Sequence, residues 1–254
     1  QDCSAFDWLL DQPVTPAAVM LSFGNPSKWA HRLAERGIPV ICQIQQIGQL
    51  SEAVNCGATA IVAQGTEAGG HGMNSRDGRG TFTLIPESAD RLVEKAPDTS
   101  LLGAGGVCDG RGLAAMLMLG ADGAIVGSRA WATLESLADK GAQQVATAAA
   151  GDDTARSEIF DILRQKDWPH PYDFRALRNA IHQEWEGRES ELRSSPDQAI
   201  KSYREAVDRG DFTKAHVTVG EGVGMIDDVP SSADLIARMT TEAVAHLKRF
   251  SGIS

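Results

Sequence analysis

The chain has 254 residues, 42% of them apolar and 23% charged, which suits a globular protein with a sizeable core. Its formal charge of −10 and pI near 5.1 exclude a nucleic-acid partner, because counterion release needs a basic surface and no Lys/Arg cluster occurs. No stretch is apolar enough to cross a membrane, since Asp122 interrupts the best candidate, LAAMLMLGADGAIVG, and QDCSAFDWLL lacks the layout of a signal peptide.

The four cysteines, Cys3, Cys42, Cys56 and Cys108, form no CxxC pair and have no histidine at metal-ligand spacing. They read as reduced thiols of a cytoplasmic protein, and no metal is expected. Cys108, just before a helix start, reads as a small buried residue rather than a stabilised thiolate.

From Ala17 onward, short β-branched or apolar runs alternate with amphipathic stretches. The runs are AVMLSF, IPVICQI, ATAIVAQ, TSLLGA and GAIVG; between most of them lie SKWAHRLAERG, LSEAVNCG, PESADRLVEKA and DGRGLAAMLMLG. Strands without polar alternation, each followed by a helix, predict a parallel sheet covered by helices. The segments AVNCGATAIVAQG and MLMLGADGAIVGS repeat the same helix end, turn and strand, which points to a β/α barrel or a doubly wound sheet. Asn25-Pro26-Ser27 and Asp109 stand where helix N-caps belong, and Pro86-Glu87 suits a first turn.

After Thr133 the character changes, and Leu134–Asp211 reads almost wholly helical. HVTVGEGVGMIDDVP then supplies a short extended piece and a glycine-rich loop read as flexible. A closing amphipathic helix carries Leu235, Met239, Ala243 and Leu247 on one face.

Two glycine turns are candidate phosphate sites. In LLGAGGVCDGRG a strand ends at Gly105 and Gly106 before a helix opens, and in GAIVGSRA the next strand ends at Gly127 and Ser128. On neighbouring strand tips of a barrel they would share one pocket. GEGVG fails as a dinucleotide fingerprint, no GxxxxGK[ST] occurs, and no lysine ends a strand, which disfavours a Schiff-base enzyme. His71, in GTEAGGHGM, follows the third strand on the same rim and has no partner nucleophile or acid nearby in sequence. That combination suggests that a cofactor carries the chemistry while the histidine handles a proton.

AQGTEAGGHGM, LLGAGGVCDGRGLAAMLMLGADGAIVGSRAWATLES and GEGVGMIDDVP resemble the nitronate monooxygenases, formerly called 2-nitropropane dioxygenases, over nearly the whole chain. The resemblance implies an FMN-dependent β/α-barrel enzyme that oxidises alkyl nitronates with dioxygen to carbonyl compounds and nitrite. By position it implies a catalytic His71 and FMN contacts at Gln64, Gly69, Gly105, Gly106, Ile125, Val126, Gly127 and Ser128. The chain departs from the family in having Ile125-Val126-Gly127-Ser128 where Gln-Met-Gly-Thr is frequent, and Gly72 where Arg is common.

The expected fold is therefore α/β of the (β/α)8 TIM-barrel type, incomplete, with about five of the eight strands that closure needs and a helical insertion after the last of them. Residues 1–133 would form the FMN-binding part, 134–228 a helical substrate or lid section, and 229–254 a helix packing back on the barrel. The missing opening strands and the absent initiator Met lead us to expect a fragment of a longer reading frame. The rival expectations are an NAD(P)H-dependent FMN reductase of the same fold and a phosphate-binding domain, or inert remnant, without redox chemistry. Whether the chain is a monomer or a homodimer stays open.

Overall fold

The computed structural model describes residues 4–250, so Cys3 lies outside the described residues. Five short strands form one parallel sheet: β1 (Val19–Leu21), β2 (Val40–Ile44), β3 (Ala60–Gln64), β5 (Ser100–Ala104) and β6 (Gly123–Ile125). They are the five runs expected, in the order β1-β2-β3-β5-β6, with Val19 opposite Val40, Ala60 opposite Ser100 and Ala104 opposite Ile125. Central β3 buries Ile61, Val62 and Ala63 in succession, as a strand covered on both faces must. The fold is of the β/α barrel type, but among the described residues β1 and β6 each pair on one side only and no hydrogen-bonded ladder closes the ring.

Helices on the outer face bury Leu33, Ile44, Ile61, Leu84, Leu101 and Met239 against this arc in one cluster. Two helix starts fall where expected. Asn25 Oδ1 accepts from the amide of Ser27 at 2.8 Å, and Asp109 Oδ1 accepts from that of Gly112 at 3.0 Å. The third is corrected: the helix Thr81–Lys95 begins five residues before Pro86, behind Gly80. A side chain remote in sequence makes this possible, because the Glu67 carboxylate accepts from Thr81 N at 2.9 Å and Thr81 Oγ1 at 2.8 Å. Pro86 leaves the Phe82 carbonyl without its helical donor, at a turn where exposed Phe82 lets water replace it.

The closing helix Ser232–Phe250 buries Leu235, Met239 and Ala243. It crosses the helix Gly110–Met118 at Gly110, where a Cβ would fall 2.6 Å from Ala243 N.

The section read as almost wholly helical holds two strands, β7 (Thr154–Ser157) and β8 (Tyr172–Leu177). With β4 (Gly70–Met73) they make a second sheet, antiparallel, in the order β4-β8-β7. β8 alternates: Phe174 and Ala176 enter a second core with Phe160, Leu163, Ile181, Leu192 and Tyr203, while Asp173 and Arg175 face away from it. Charges at every second position masked a period-two strand. The chain therefore threads from the arc into the second sheet at β4 and returns before β5.

Candidate active site

The tips of the parallel strands carry the glycine turns. Gly105 and Gly106 both adopt left-handed backbone, with φ of 109° and 75°, a conformation that L side chains rarely tolerate. Beside them Gly127 and Ser128 follow β6, at the start of the short helix Ser128–Trp131. A single cavity of about 330 Å³ joins the two turns, and Gln64, Gly69, Ile125, Gly127 and Ser128 all line it. Val126 does not; it packs into the first core.

A flavin phosphate is an anion that needs free donors and room, and this cradle supplies both. The amides of Gly106, Gly127 and Ser128 donate to no backbone acceptor outside the regular elements, and a Cβ at Gly127 would meet nothing within 4 Å. Ser128 Oγ accepts from Gly220 N at 2.8 Å and keeps its own proton to donate. The residues present thus fit the phosphate end of FMN.

Gly69 has a second reason to be glycine. A Cβ there would lie 2.5 Å from the carbonyl carbon of Val219 and 2.6 Å from Gly220 N. The approach that glycine permits is therefore to the chain itself as well as to the cavity. The GEGVG segment, read as flexible, is a packed buckle in which a short turn, Glu221–Met225, buries Val223 completely. A Cβ at Gly222 would strike Cys108 Sγ, and one at Gly224 would lie 2.8 Å from Gly151 N. Gly220 and Gly222 also form a wall of the cavity.

Two arginines fasten the GTEAGG loop to the second sheet. Arg156 donates to the carbonyls of Ala68 (2.6 Å), Asp173 (2.8 Å), Gly70 (3.2 Å) and Thr66 (3.2 Å). Arg175 donates to Thr66 O at 3.1 Å and pairs with Glu221 at 2.8 Å. Burial, then the neighbouring Arg175, pushes Arg156 down to about 10, which leaves it charged at neutral pH. Gly72 makes room for it, since a Cβ would lie 3.0 Å from the guanidinium. A cation from β7 thus occupies the neighbourhood of the position where Arg is common in the family the sequence resembles.

His71 lies on β4, opposite Phe174 of β8. Its carbonyl accepts from Gln64 Nε2 at 3.3 Å, and Gln64 Oε1 in turn accepts from the amides of Gln43 (2.9 Å) and Gln45 (2.8 Å). The imidazole stands outside the cavity lining; its residue lies seven along the chain from the lining residue Gln64 and is joined to it by that carbonyl bond.

Aromatic rings surround His71. Trp168 stacks on it with centroids 3.5 Å apart and planes 16° from parallel, Phe174 lies at 4.8 Å and Phe23 at 6.4 Å. Phe23, at the tip of β1, holds a left-handed φ of 63° and meets Trp168 and Tyr172 edge-on. Such backbone costs about 1–3 kcal/mol and persists where surroundings enforce it. The partner missed in the sequence is Asp161, on the helix Ile159–Leu163. Its oxygens lie 2.9 and 3.0 Å from His71 Nε2, with the carboxylate only 4% exposed. A separation of 90 residues hid the pair, and only an acidic residue inside the apolar IFDIL hinted at it.

Among the described residues no cluster of His, Cys, Asp and Glu has metal-binding geometry, and no helix is long and apolar enough to cross a membrane. Cys108, lining the cavity, is pushed up to about 11 by burial and then by Asp109, so it is a neutral thiol there.

Comparison with known proteins follows the same lines. The nitronate monooxygenase family model matches residues 6–242. A nitronate monooxygenase, npaC, of Metarhizium robertsii is 35% identical over 222 residues, covering 80% of this chain and 60% of that protein. One from Neurospora crassa is 31% identical over 232 residues, covering 89% and 59%. The chain thus spans about 60% of the length of these curated relatives. Among solved structures, FabK from Thermotoga maritima superposes with a TM-score of 0.77 at 26% identity, covering 93% of this chain and 71% of that one.

Proposed function

The chain belongs to the nitronate monooxygenase family, and from that premise we propose that it takes part in FMN-dependent oxidation of alkyl nitronates by dioxygen to carbonyl compounds and nitrite. The observation that carries this reading is the cavity of glycine turns beside a histidine locked to a buried carboxylate. Gly105, Gly106, Gly127 and Ser128 would hold the phosphate of FMN, with Gln64, Gly69 and Ile125 along the rest of the cavity. Val126 supports that wall from behind. When bound, the flavin supplies electron acceptance from the nitronate and reactivity toward dioxygen.

The chain's own groups do the rest. His71 takes the carbon-bound proton of a neutral nitroalkane, and as imidazolium holds the nitro oxygens by charge and hydrogen bond. Trp168, Phe174 and Phe23 enclose the imidazole in apolar surface, which suits an alkyl substituent and keeps water from competing for the proton.

His71→Asn tests the reading on the FMN-loaded enzyme. Turnover of neutral nitroalkane should fall about 100-fold or more, while FMN stays bound and pre-formed nitronate is still oxidised. Undiminished turnover overturns the role of His71. Anaerobic bleaching of the bound flavin by NADH, but not by nitronate, would replace the reaction with that of a reductase.

A further inference from the structure

The His71–Asp161 contact carries more than proximity. Both carboxylate oxygens face one ring nitrogen, Nε2, at 2.9 and 3.0 Å. An ionised carboxylate only accepts, and a neutral imidazole has a single N–H, so that hydrogen must sit on Nε2. Nδ1 is then the atom with the free lone pair, and among the described residues the hydrogen bonds of the ring are those of Nε2. We propose that Asp161 is a positioning residue that fixes His71 as the Nε2–H tautomer and makes Nδ1 the atom that takes the substrate proton. The catalytic half of this inference rests on the reaction proposed above; the tautomer does not.

The surroundings favour this one arrangement. Trp168 covers a face of the ring, and the β4–β8 ladder fixes its backbone, so the imidazole cannot turn over without unstacking. Arg164, one turn along the helix from Asp161, stands 4.0 Å from the carboxylate, too far to compete for its lone pairs. The other charged or titratable groups that act on Asp161 are Asp173 of β8, Arg193 of the helix Glu189–Ser194, and His216, and none of them bonds the imidazole. In the step itself the carbon–hydrogen bond breaks, its electron pair stays on the nitronate, and the proton forms an N–H bond at Nδ1. The imidazolium then bears both protons, and its charge faces the buried carboxylate.

Histidine-selective 15N labelling with long-range proton–nitrogen correlation tests the tautomer directly, the His71 signals among six histidines being assigned by their loss in His71→Asn. At pH 8 the expected pattern is a protonated Nε2 and an unprotonated Nδ1. Asp161→Asn should abolish that single pattern, and Asp161→Glu should restore it. On the FMN-loaded enzyme, Asp161→Asn should lower kcat for neutral nitroalkane about 100-fold, with nitronate turnover unchanged within about twofold, and Glu should recover much of the loss. A wild-type His71 protonated on Nδ1, or averaged between tautomers, overturns the proposal, as does an Asp161→Asn variant that keeps both the pattern and kcat. Because the first result needs only the wild-type spectrum and its assignment by His71→Asn, a poorly folding Asp161 variant does not shield the idea. A chain that shows the Nε2–H tautomer yet oxidises no nitro compound refutes the reaction and upholds the positioning.

Discussion

The parallel arc and the antiparallel sheet contribute to the site in different currencies. The arc offers backbone: glycine turns, free amides and an open cavity, with scarcely a reactive side chain. Side chains come from the second sheet and its helices, which bring Asp161, Trp168, Phe174 and the two loop-fastening arginines, and which hold His71 on their edge strand. Strand tips of a parallel sheet all point their amides one way, which suits an anion. Packing a histidine against a buried acid needs a separate core to pay for the desolvation. A site divided in this way depends on the seam between the two bodies.

Acid should separate them most strongly. Burial pushes His182 and His216, both in the second body, down to about 4 from the ordinary 6.5. Between those values only the unfolded chain takes up their protons, so their contribution is complete above about pH 6.5 and is lost as pH falls toward 4. Each histidine then costs on the order of 3 kcal/mol. Hydrogen exchange followed peptide by peptide, corrected for intrinsic rates, should show β7, β8 and their helices opening at pH 4.5 while β2, β3 and β5 stay protected. Simultaneous opening would mean that the two bodies share one cooperative unit.

The seam itself is next. Gly69→Ala drives a methyl into the backbone of Val219 and Gly220 and should cost about 2 kcal/mol, visible as a lower urea midpoint together with weaker FMN uptake. Gly127→Ala is the contrast and the smallest effect. With φ at −91° and nothing within 4 Å of the new methyl, stability should change by less than about 0.5 kcal/mol, while FMN affinity falls about tenfold as the methyl enters the cradle. Equal destabilisation by the two alanines would erase the distinction between seam and cradle.

What was legible in the sequence follows the same division. The strands of the arc announce themselves as apolar runs, most fully at β3, whose two faces are both covered, and the turn after β5 as glycines because the backbone of Gly105 and Gly106 is left-handed. β4 is GHGM, two of its four residues poor strand formers, and among the described residues its one strand partner is β8. β8 itself hides behind Asp173 and Arg175, and the partner Thr66 of Arg175 lies on a segment far away in sequence. Asp161 was invisible for a related reason: an acid buried among Ile159, Phe160, Ile162 and Leu163 is explained only by the histidine that folding brings to it. Local pattern reports what a residue does for its own element, not what it does for another.

The buckle at residues 220–224 has a consequence for biosynthesis. The cradle's glycine turns emerge from the ribosome roughly a hundred residues before the segment that walls the cavity and seals it against the GTEAGG loop. A nascent chain that has already paired β3, β5 and β6 therefore displays an open trough rather than a pocket. Retention of any ligand held there must wait until Gly220 and Gly222 have been made and complete the wall.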